Sequence, residues 1–454
     1  MENDLKQWIE QQTQATIVHC ERQGRGREAW FVTTDVFIAG KAQNEIKRFY
    51  LRCGRGGHGA IAEIYTIARE AQVLAALNRT QIPVPKVIGF YPEKPAVLLS
   101  HVEGCADFHK IDSTDQREKI ADQFMQELAQ LHNFSADELR ITFLPIPVTP
   151  QQFALDDLAI WQKSYTQAVR ETDPAIDFAL QWLNSEVPQP TGKLSLLQGD
   201  TGPGQFLFNA EKITAIVDWE FCHWGDPMED LAMIRARDLV TPFGDLRQRF
   251  ARYSELSGIA LNMPALKYYS VRAMLNTPLG LIGVVQNPHH KADMAEYLSW
   301  HLLYKRATME VLAEALGVKL QQSHFPEAQQ SSYSSLYEVM LTNLSKEHLP
   351  TIVDSYQAYR LSGMIRLAKY LQNVEKYRAD MDRIEIAEIA KLTGKYFASR
   401  LEADQALNDL IQNNWRAFQY QLVEYLFHRS AREEFLLKPA MGEMATSVVA
   451  PIDY

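Results

Sequence analysis

Hydrophobic residues recur along the first hundred positions with two different periods. Leu5, Trp8 and Ile9 fall on one face of a helix over residues 1–12, after which the spacing becomes that of strands. Residues 15–20 and 29–37 are rich in β-branched and aromatic side chains. They flank a glycine-bearing segment, residues 22–27, that reads as the tip of a hairpin. A third strand is expected over 48–53. Ile64, Ile67, Ala68, Ala71, Leu74 and Ala75 then return to helical spacing and predict one helix over 61–77, ended by Pro83-Val84-Pro85. Strands are expected again over 86–91 and 96–101. Residues 14–102 thus predict a small antiparallel sheet with one inserted helix.

From Gln116 onward the pattern is mostly helical, as over 121–132 and 155–169. One β island interrupts it: 194–197 and 206–208 flank a turn-rich segment, and 213–218 is a further strand. Helical spacing resumes at Pro227 and runs to about residue 316. Residues 319–335, rich in Gln and Ser, read as a linker. Beyond them, 336–436 is helical almost throughout, with Leu361, Ile365, Ala368 and Leu371 as one stripe, and no internal repeat is visible.

Composition narrows the function classes. At 46% hydrophobic and 22% charged residues the chain reads as an ordinary soluble globular protein of two or three domains. A net charge of -10 argues against nucleic-acid binding, which needs a basic surface. The longest mostly apolar run, 274–285, is interrupted and too short for the ~20 residues of a membrane span. The N-terminus has no apolar signal region, and the four cysteines lie far apart without metal spacing, so a reduced, cytoplasmic chain with no membrane partner is expected. Residues 22–55 carry eight Lys and Arg against three acidic residues. This is a solvated face or an attraction for a polyanionic ligand such as ATP or a coenzyme-A-linked substrate.

The stretch that carries chemistry is residues 194–232, LSLLQGDTGPGQFLFNAEKITAIVDWEFCHWGDPMEDLA. Asp200 ends an apolar strand and enters a loop of Gly202, Pro203 and Gly204. Gln205 follows it, and Asp218 ends the next apolar strand. Two carboxylates and an amide delivered by strand ends suit phosphoryl transfer, which needs a carboxylate for the substrate hydroxyl and oxygen ligands for Mg²⁺. Asp226-Pro227 is a good helix start.

This stretch resembles the signature of the aminoglycoside phosphotransferase-like kinase family, a branch of the protein-kinase-like fold. That family carries His-Gly-Asp-x-x-x-x-Asn, an Ile-Asp-Trp strand end, Gly-Asp-Pro and Asp-Leu-Ala. Here Gln198-Gly199-Asp200 to Gln205, Val217-Asp218-Trp219, Gly225-Asp226-Pro227 and Asp230-Leu231-Ala232 stand in their places. Upstream, Phe49-Tyr50-Leu51-Arg52 matches the strand with the phosphate-pairing cation, and Ala68-Arg69-Glu70 the helix with its acidic partner. Residues 82–86 match the family's Val-Pro-x-Val turn, 98–104 the hinge and 128–132 a C-lobe helix.

The resemblance covers about residues 14–317 and implies an α+β fold: a bilobal kinase-like domain followed by an all-helical one. The N-lobe is expected at 1–102, the C-lobe at 103–318, the linker at 319–335 and the helical domain at 336–454. It implies that Asp200 is the catalytic base, that Gln205 and Asp218 hold metal, and that Arg52 pairs with nucleotide phosphates and with Glu70. The resemblance further implies that the turn containing Gly24 and Gly26 would cover the phosphates and that backbone groups from Ser100 to Val102 would hydrogen-bond adenine. Asp226 and Asp230 are left with structural roles.

Two positions break the family pattern: Gln198 replaces His, and Gln205 replaces Asn with one more methylene. Arg52 in place of Lys is a two-pronged cation, which the branch this chain resembles tolerates. Because Mg²⁺ demands near-octahedral geometry at ~2.1 Å, the longer Gln205 requires either an adapted loop or an impaired site. Residues 54–59 also match GxGxxG, but no second βαβ unit follows, which argues against a dinucleotide site. The expected activity is ATP- and Mg²⁺-dependent phosphorylation of a hydroxyl on a small molecule, with a hydroxyacyl-CoA preferred. An antibiotic kinase and a nucleotide-binding scaffold acting through its C-terminal helices remain alternatives, and a homodimer remains open.

Overall fold

A computed structural model describes residues 1–23, 28–36, 45–54, 59–329 and 333–453. The hairpin tip with Gly24 and Gly26, and most of the 54–59 loop, lie outside the described residues. In chain order the elements begin with α1 (Asn3–Thr13), β1 (Thr16–Gln23), β2 (Ala29–Val36), β3 (Glu45–Cys53), α2 (Ala60–Ile64), α3 (Ile67–Leu77), β4 (Val87–Tyr91) and β5 (Ala96–Ser100). Next come α4 (Thr114–Asn133), α5 (Ala136–Leu139), α6 (Pro150–Ala168), α7 (Pro174–Ser185), β6 (Ser195–Leu197), β7 (Phe206–Phe208), β8 (Ile213–Ile216) and β9 (His223–Gly225). The rest is helical: α8 (Pro227–Asp238), α9 (Leu246–Ser257), α10 (Met263–Gln286), α11 (Met294–Ala315), α12 (Ser334–Thr342), α13 (Ser355–Thr393), α14 (Arg400–Asn414) and α15 (Gln419–Met441).

The five N-terminal strands form one antiparallel sheet in the order β1-β2-β3-β5-β4. Strand alternation sorts its side chains. Val32, Phe49, Leu51, Ala96 and Leu98 pack with Leu5 and Ile9 of α1. The intervening Phe31, Tyr50, Arg52 and Leu99 line a cavity instead. The expected single helix over 61–77 is two. Thr66 has extended backbone and its hydroxyl accepts the Arg69 N–H at 3.2 Å, so it caps α3 afresh. Periodicity sees the shared apolar face but not this cap. Strand β9, which the sequence reading lacks, pairs antiparallel with β6. It is too short for alternation to reveal it. Under β7, Phe124 of α4 stacks on Phe206 at 4.6 Å, and Phe108 and Phe243 complete an aromatic cluster.

The chain divides into two compact units: residues 1–156, 189–266 and 450–454 form one, and 157–188 with 267–449 the other. Residues 157–188 and 267–318, which the sequence reading groups with 103–156, belong with the C-terminal helices because α11 lies along α15 and packs on α7. That second unit is held by buried ionic groups as well as apolar ones. Lys305 is clasped between Asp173 at 2.7 Å and Glu433 at 2.5 Å, and Arg432 meets Glu385 at 2.6 Å. Trp415 is buried against Phe178. Among the described residues no helix is long and apolar enough to cross a membrane.

Buried His301 beside this cluster gives a pH prediction. Burial first, and then the Lys305 charge, push its pKa down to about 4. The ring is neutral when folded but protonates near 6.5 when unfolded, so its contribution to stability is present above pH 6.5 and is lost as pH falls toward 4. Each pH unit in that window removes about 1.4 kcal/mol. The stability lost between pH 7 and pH 5 is expected to be smaller in His301→Gln by about 2 kcal/mol. Urea unfolding at both pH values checks this, and equal losses in the two proteins refute it.

Candidate active site

The loop after β6 is fixed from below by Asp230 of α8. The two Asp230 oxygens accept the N–H groups of Gln198 at 2.9 Å and Gly199 at 3.0 Å. Burial alone would raise the Asp230 pKa. Hydrogen bonds from His132, which lies 3.1 Å away, and from the Gln198 N–H overcome this and hold the carboxyl below its usual range. His132 in turn meets Tyr253 at 2.7 Å, and its carbonyl takes the Ser195 hydroxyl, so α4, α9 and β6 are tied to one carboxylate. Asp226 caps α8 through the Met228 N–H and also accepts the Thr191 N–H.

Gly199 has φ +83°, and a Cβ there would lie 2.4 Å from the Phe221 carbonyl oxygen. Gly199→Ala is therefore expected to lower stability by about 2 kcal/mol or more, through left-handed strain and this contact. Chemical unfolding tests it, and a loss under about 0.5 kcal/mol would show that the segments simply part.

The catalytic-base candidate Asp200 is only partly buried and is gripped by Arg237 of α8. Nε donates to Oδ1 at 2.9 Å and Nη2 to Oδ2 at 2.6 Å, while Nη1 reaches the Pro203 carbonyl at 3.2 Å. The Gln205 amide nitrogen also donates to Asp200 Oδ2. Burial pushes the Asp200 carboxyl up, with Arg237 opposing it and the nearby Asp218 and Glu220 charges adding to it. Arg237 was absent from the sequence reading. The available signal was its place seven residues after Asp230, on the same face of a helix that is buried nearly all round.

Asp218 sits one residue past Val217, whose N–H donates to the Gln205 carbonyl at 2.9 Å and whose carbonyl accepts the Gln198 amide at 2.7 Å. The segment that leads from β8 into Asp218 is thus tied to the Asp200 loop through Gln198 and Gln205. Asp218 itself adopts φ 64°, a left-handed conformation that Asp tolerates better than most residues. Its carboxylate is ion-paired with Arg52. Arg52 also meets Glu70 at 3.0 Å and Glu220 at 3.8 Å. Burial lowers the Arg52 pKa, but Glu70, Asp218 and Glu220 outweigh it and raise the pKa above the usual arginine value, so the side chain is a permanent cation. Glu220 belongs to the Val217-Asp218-Trp219-Glu220 stretch on which the resemblance rests, but the sequence reading gives it no role. It lies two residues past Asp218, outside any strand.

Beside Arg52 and Asp218 opens a cavity of about 380 Å³. Phe31, Tyr50 and Leu99 from the sheet and Leu207 and Val217 from the strands after the Asp200 loop give it apolar walls, and Ser100, His101 and Val102 form one edge. The Ser100 N–H is already donated to Lys86, and that of His101 to Arg48. The Val102 N–H donates to no described residue. The structure therefore brings Arg52, Glu70, Asp218, Ser100 and Val102 to one cavity, ties Asp200 and Gln205 to the strand beside it, and leaves Gly24 and Gly26 outside the described residues.

A family profile described as "Phosphotransferase enzyme family" matches residues 33–268. "Acyl-CoA dehydrogenase family member 11" of Homo sapiens is 26% identical over 231 residues, 47% of this chain and 29% of that protein. "Acyl-CoA dehydrogenase family member 10" of Mus musculus is 27% identical over 180 residues, 37% and 16% of the two chains. The chain thus spans less than a third of the length of these curated relatives. Among solved structures, a putative aminoglycoside phosphotransferase from Ralstonia eutropha JMP134 superposes with a TM-score of 0.54 at 18% identity, covering 69% of this chain and 98% of that one. At that identity the likeness speaks for the fold.

Proposed function

Because the chain belongs to the phosphotransferase enzyme family, whose profile spans more than half of its 454 residues, we propose that it transfers the γ-phosphoryl group of ATP to a hydroxyl of a small molecule, with a hydroxyacyl-CoA as the preferred acceptor. The observation that carries the transfer reading is the Asp200–Arg237 clamp. It holds a carboxylate in one orientation on a loop joined to the Asp218 strand. The acceptor class draws on the names of the curated relatives and on the local excess of Lys and Arg in residues 22–55.

The residues present suit a hard divalent cation. Asp218 offers a partly exposed carboxylate. The Gln205 nitrogen is committed to Asp200, which leaves Oε1 as the amide atom suited to a metal. Asp218 and Gln205 would hold Mg²⁺, which when bound offsets charge on the transferring phosphoryl group. Asp200 accepts the acceptor's O–H hydrogen bond and takes its proton as the acceptor oxygen bonds to the γ-phosphorus and the bond from that phosphorus to the bridging oxygen breaks, releasing ADP. Arg237 fixes both Asp200 oxygens, so little reorganisation accompanies the step. Arg52, permanently charged and braced by Glu70, pairs with nucleotide phosphates. The apolar walls take the base, and the Val102 N–H is its hydrogen-bond donor.

The direct test incubates the protein with ATP, Mg²⁺ or Mn²⁺ and a panel of hydroxyacyl-CoAs, aminoglycosides and macrolides, with products read by mass spectrometry. A phosphorylated hydroxyacyl-CoA is expected. Phosphorylation of an antibiotic instead overturns the acceptor class, and no product with any acceptor overturns the transfer reading in favour of a scaffold. A second expectation concerns Gln205→Asn. Although it restores the family residue, it draws the amide back by about 1.5 Å and away from Asp200. A fall in kcat of about tenfold is expected, and a rise would show that Gln205 is instead a poor ligand in an unadapted loop.

A further inference from the structure

The segment 220–222, which follows Asp218, has no regular secondary structure. Its three carbonyls nevertheless are all engaged. Arg69 of α3 donates Nη1 to the Glu220 carbonyl at 3.2 Å and Nη2 to the Cys222 carbonyl at 2.6 Å. The Phe221 carbonyl faces the other way: it meets His223 Nδ1 at 2.9 Å and abuts Gly199. The segment is therefore clamped between α3 and the Asp200 loop. The Arg69 guanidinium lies over the Tyr65 ring at 4.9 Å, and Tyr65, buried, meets Phe221 edge-on at 4.9 Å. That ring fixes the fork, so the two carbonyls are gripped by a pre-aligned planar donor rather than a floppy cation.

We propose that Arg69 is a positioning residue that sets Asp218 for metal binding by holding the backbone two to four residues after it. Arg69 touches neither the cavity nor Asp200. Its neighbour in sequence, Glu70, braces Arg52. Consecutive residues of α3 thus hold the phosphate-pairing cation and the metal-ligand segment together, and a shift of the helix must disturb both. Asp218, in a left-handed conformation with φ 64°, is held on its N-terminal side by the Val217 hydrogen bonds, and it loses its C-terminal anchor if residues 220–222 are released. This inference rests on the metal-dependent transfer reading above.

Arg69→Met removes both hydrogen bonds while keeping the stem over Tyr65. Two readouts apply. The first is the half-saturating Mn²⁺ concentration of the enzyme–ADP complex, measured by water-proton relaxation, and it is expected to rise about tenfold or more. ADP affinity in EDTA is expected to stay within about twofold, because the cavity walls are untouched. The second is the labelling of Cys222 by a maleimide, read by peptide mass spectrometry. Cys222 is fully buried, and its own carbonyl is the one Arg69 holds. Its labelling rate is expected to rise about tenfold with the local opening that the lost hydrogen bonds permit, while Cys20 and Cys53 on the sheet keep their rates. Arg69→Lys, able to reach one carbonyl at a time, is expected to fall between the two proteins on both measures, and it decides the matter if the Met variant is insoluble. Unchanged Mn²⁺ half-saturation and unchanged Cys222 protection overturn the positioning role. Failure of the wild-type enzyme–ADP complex to bind Mn²⁺ overturns the underlying metal reading instead.

Discussion

Asp200→Asn is expected to lower kcat by about a thousandfold while leaving ATP affinity within about twofold. The substitution keeps size and shape but removes the charge proposed to accept the hydroxyl proton. It leaves the loop in place, because Asp230 still holds the Gln198 and Gly199 amides and Arg237 still reaches the Pro203 and Asp200 carbonyls. On the proposed reading nucleotide affinity is set elsewhere, by the cavity that Arg52 lines. The measurement is steady-state transfer beside calorimetric titration with ADP. A variant that retains more than about a tenth of wild-type kcat shows that Asp200 is not the base. A variant that loses nucleotide binding as well points to a loop that depends on the Arg237 ion pair for its shape.

Arg52→Met is expected to act on both stability and binding. Glu70 is only 1% exposed and Glu220 only 5%. Without the guanidinium a buried carboxylate loses its counter-charge, which costs about 3–5 kcal/mol in comparable buried pairs. The ion pairs also hold α3 against β3, so the loss reaches the packing of the sheet. In nucleotide binding the variant lacks the phosphate partner, and a rise in the ADP dissociation constant of about a hundredfold is expected. Arg52→Lys separates the two effects. It keeps the charge but cannot span Glu70 and Asp218 together, so it is expected to recover most of the stability and less of the affinity. Thermal unfolding and ADP titration on the three proteins give the comparison. A Met variant as stable as wild type would mean that Glu70 protonates or finds another partner without cost.

Much of the candidate site was legible from residue types at fixed intervals. Asp200 and Asp218 follow short apolar strands and Gln205 precedes one, Arg52 alternates with Leu51 on β3, and Glu70 lies on a helix that follows. Each position depends on local periodicity, and the structure joins Arg52 to both Glu70 and Asp218. The departures Gln198 and Gln205 could be seen in the sequence as anomalies but not explained there. Their common attachment to Val217 is a tertiary fact. The apolar face shared by residues 61–77 concealed a helix break, because hydrophobic spacing continues through Tyr65 while the cap at Thr66 is a hydrogen bond that spacing does not encode.

What the amino-acid order determined by itself is the local grammar: which segments alternate, which turn on glycine, and which carboxylates, amides and cations stand at their ends. What only the folded chain decided is how those charges are partnered. Arg237 finds Asp200 across 37 positions, His132 finds Asp230 across 98, and Arg69 finds the Cys222 carbonyl across 153. Local periodicity is a property of neighbours along the backbone, whereas a buried ion pair depends on where packing brings two distant segments together.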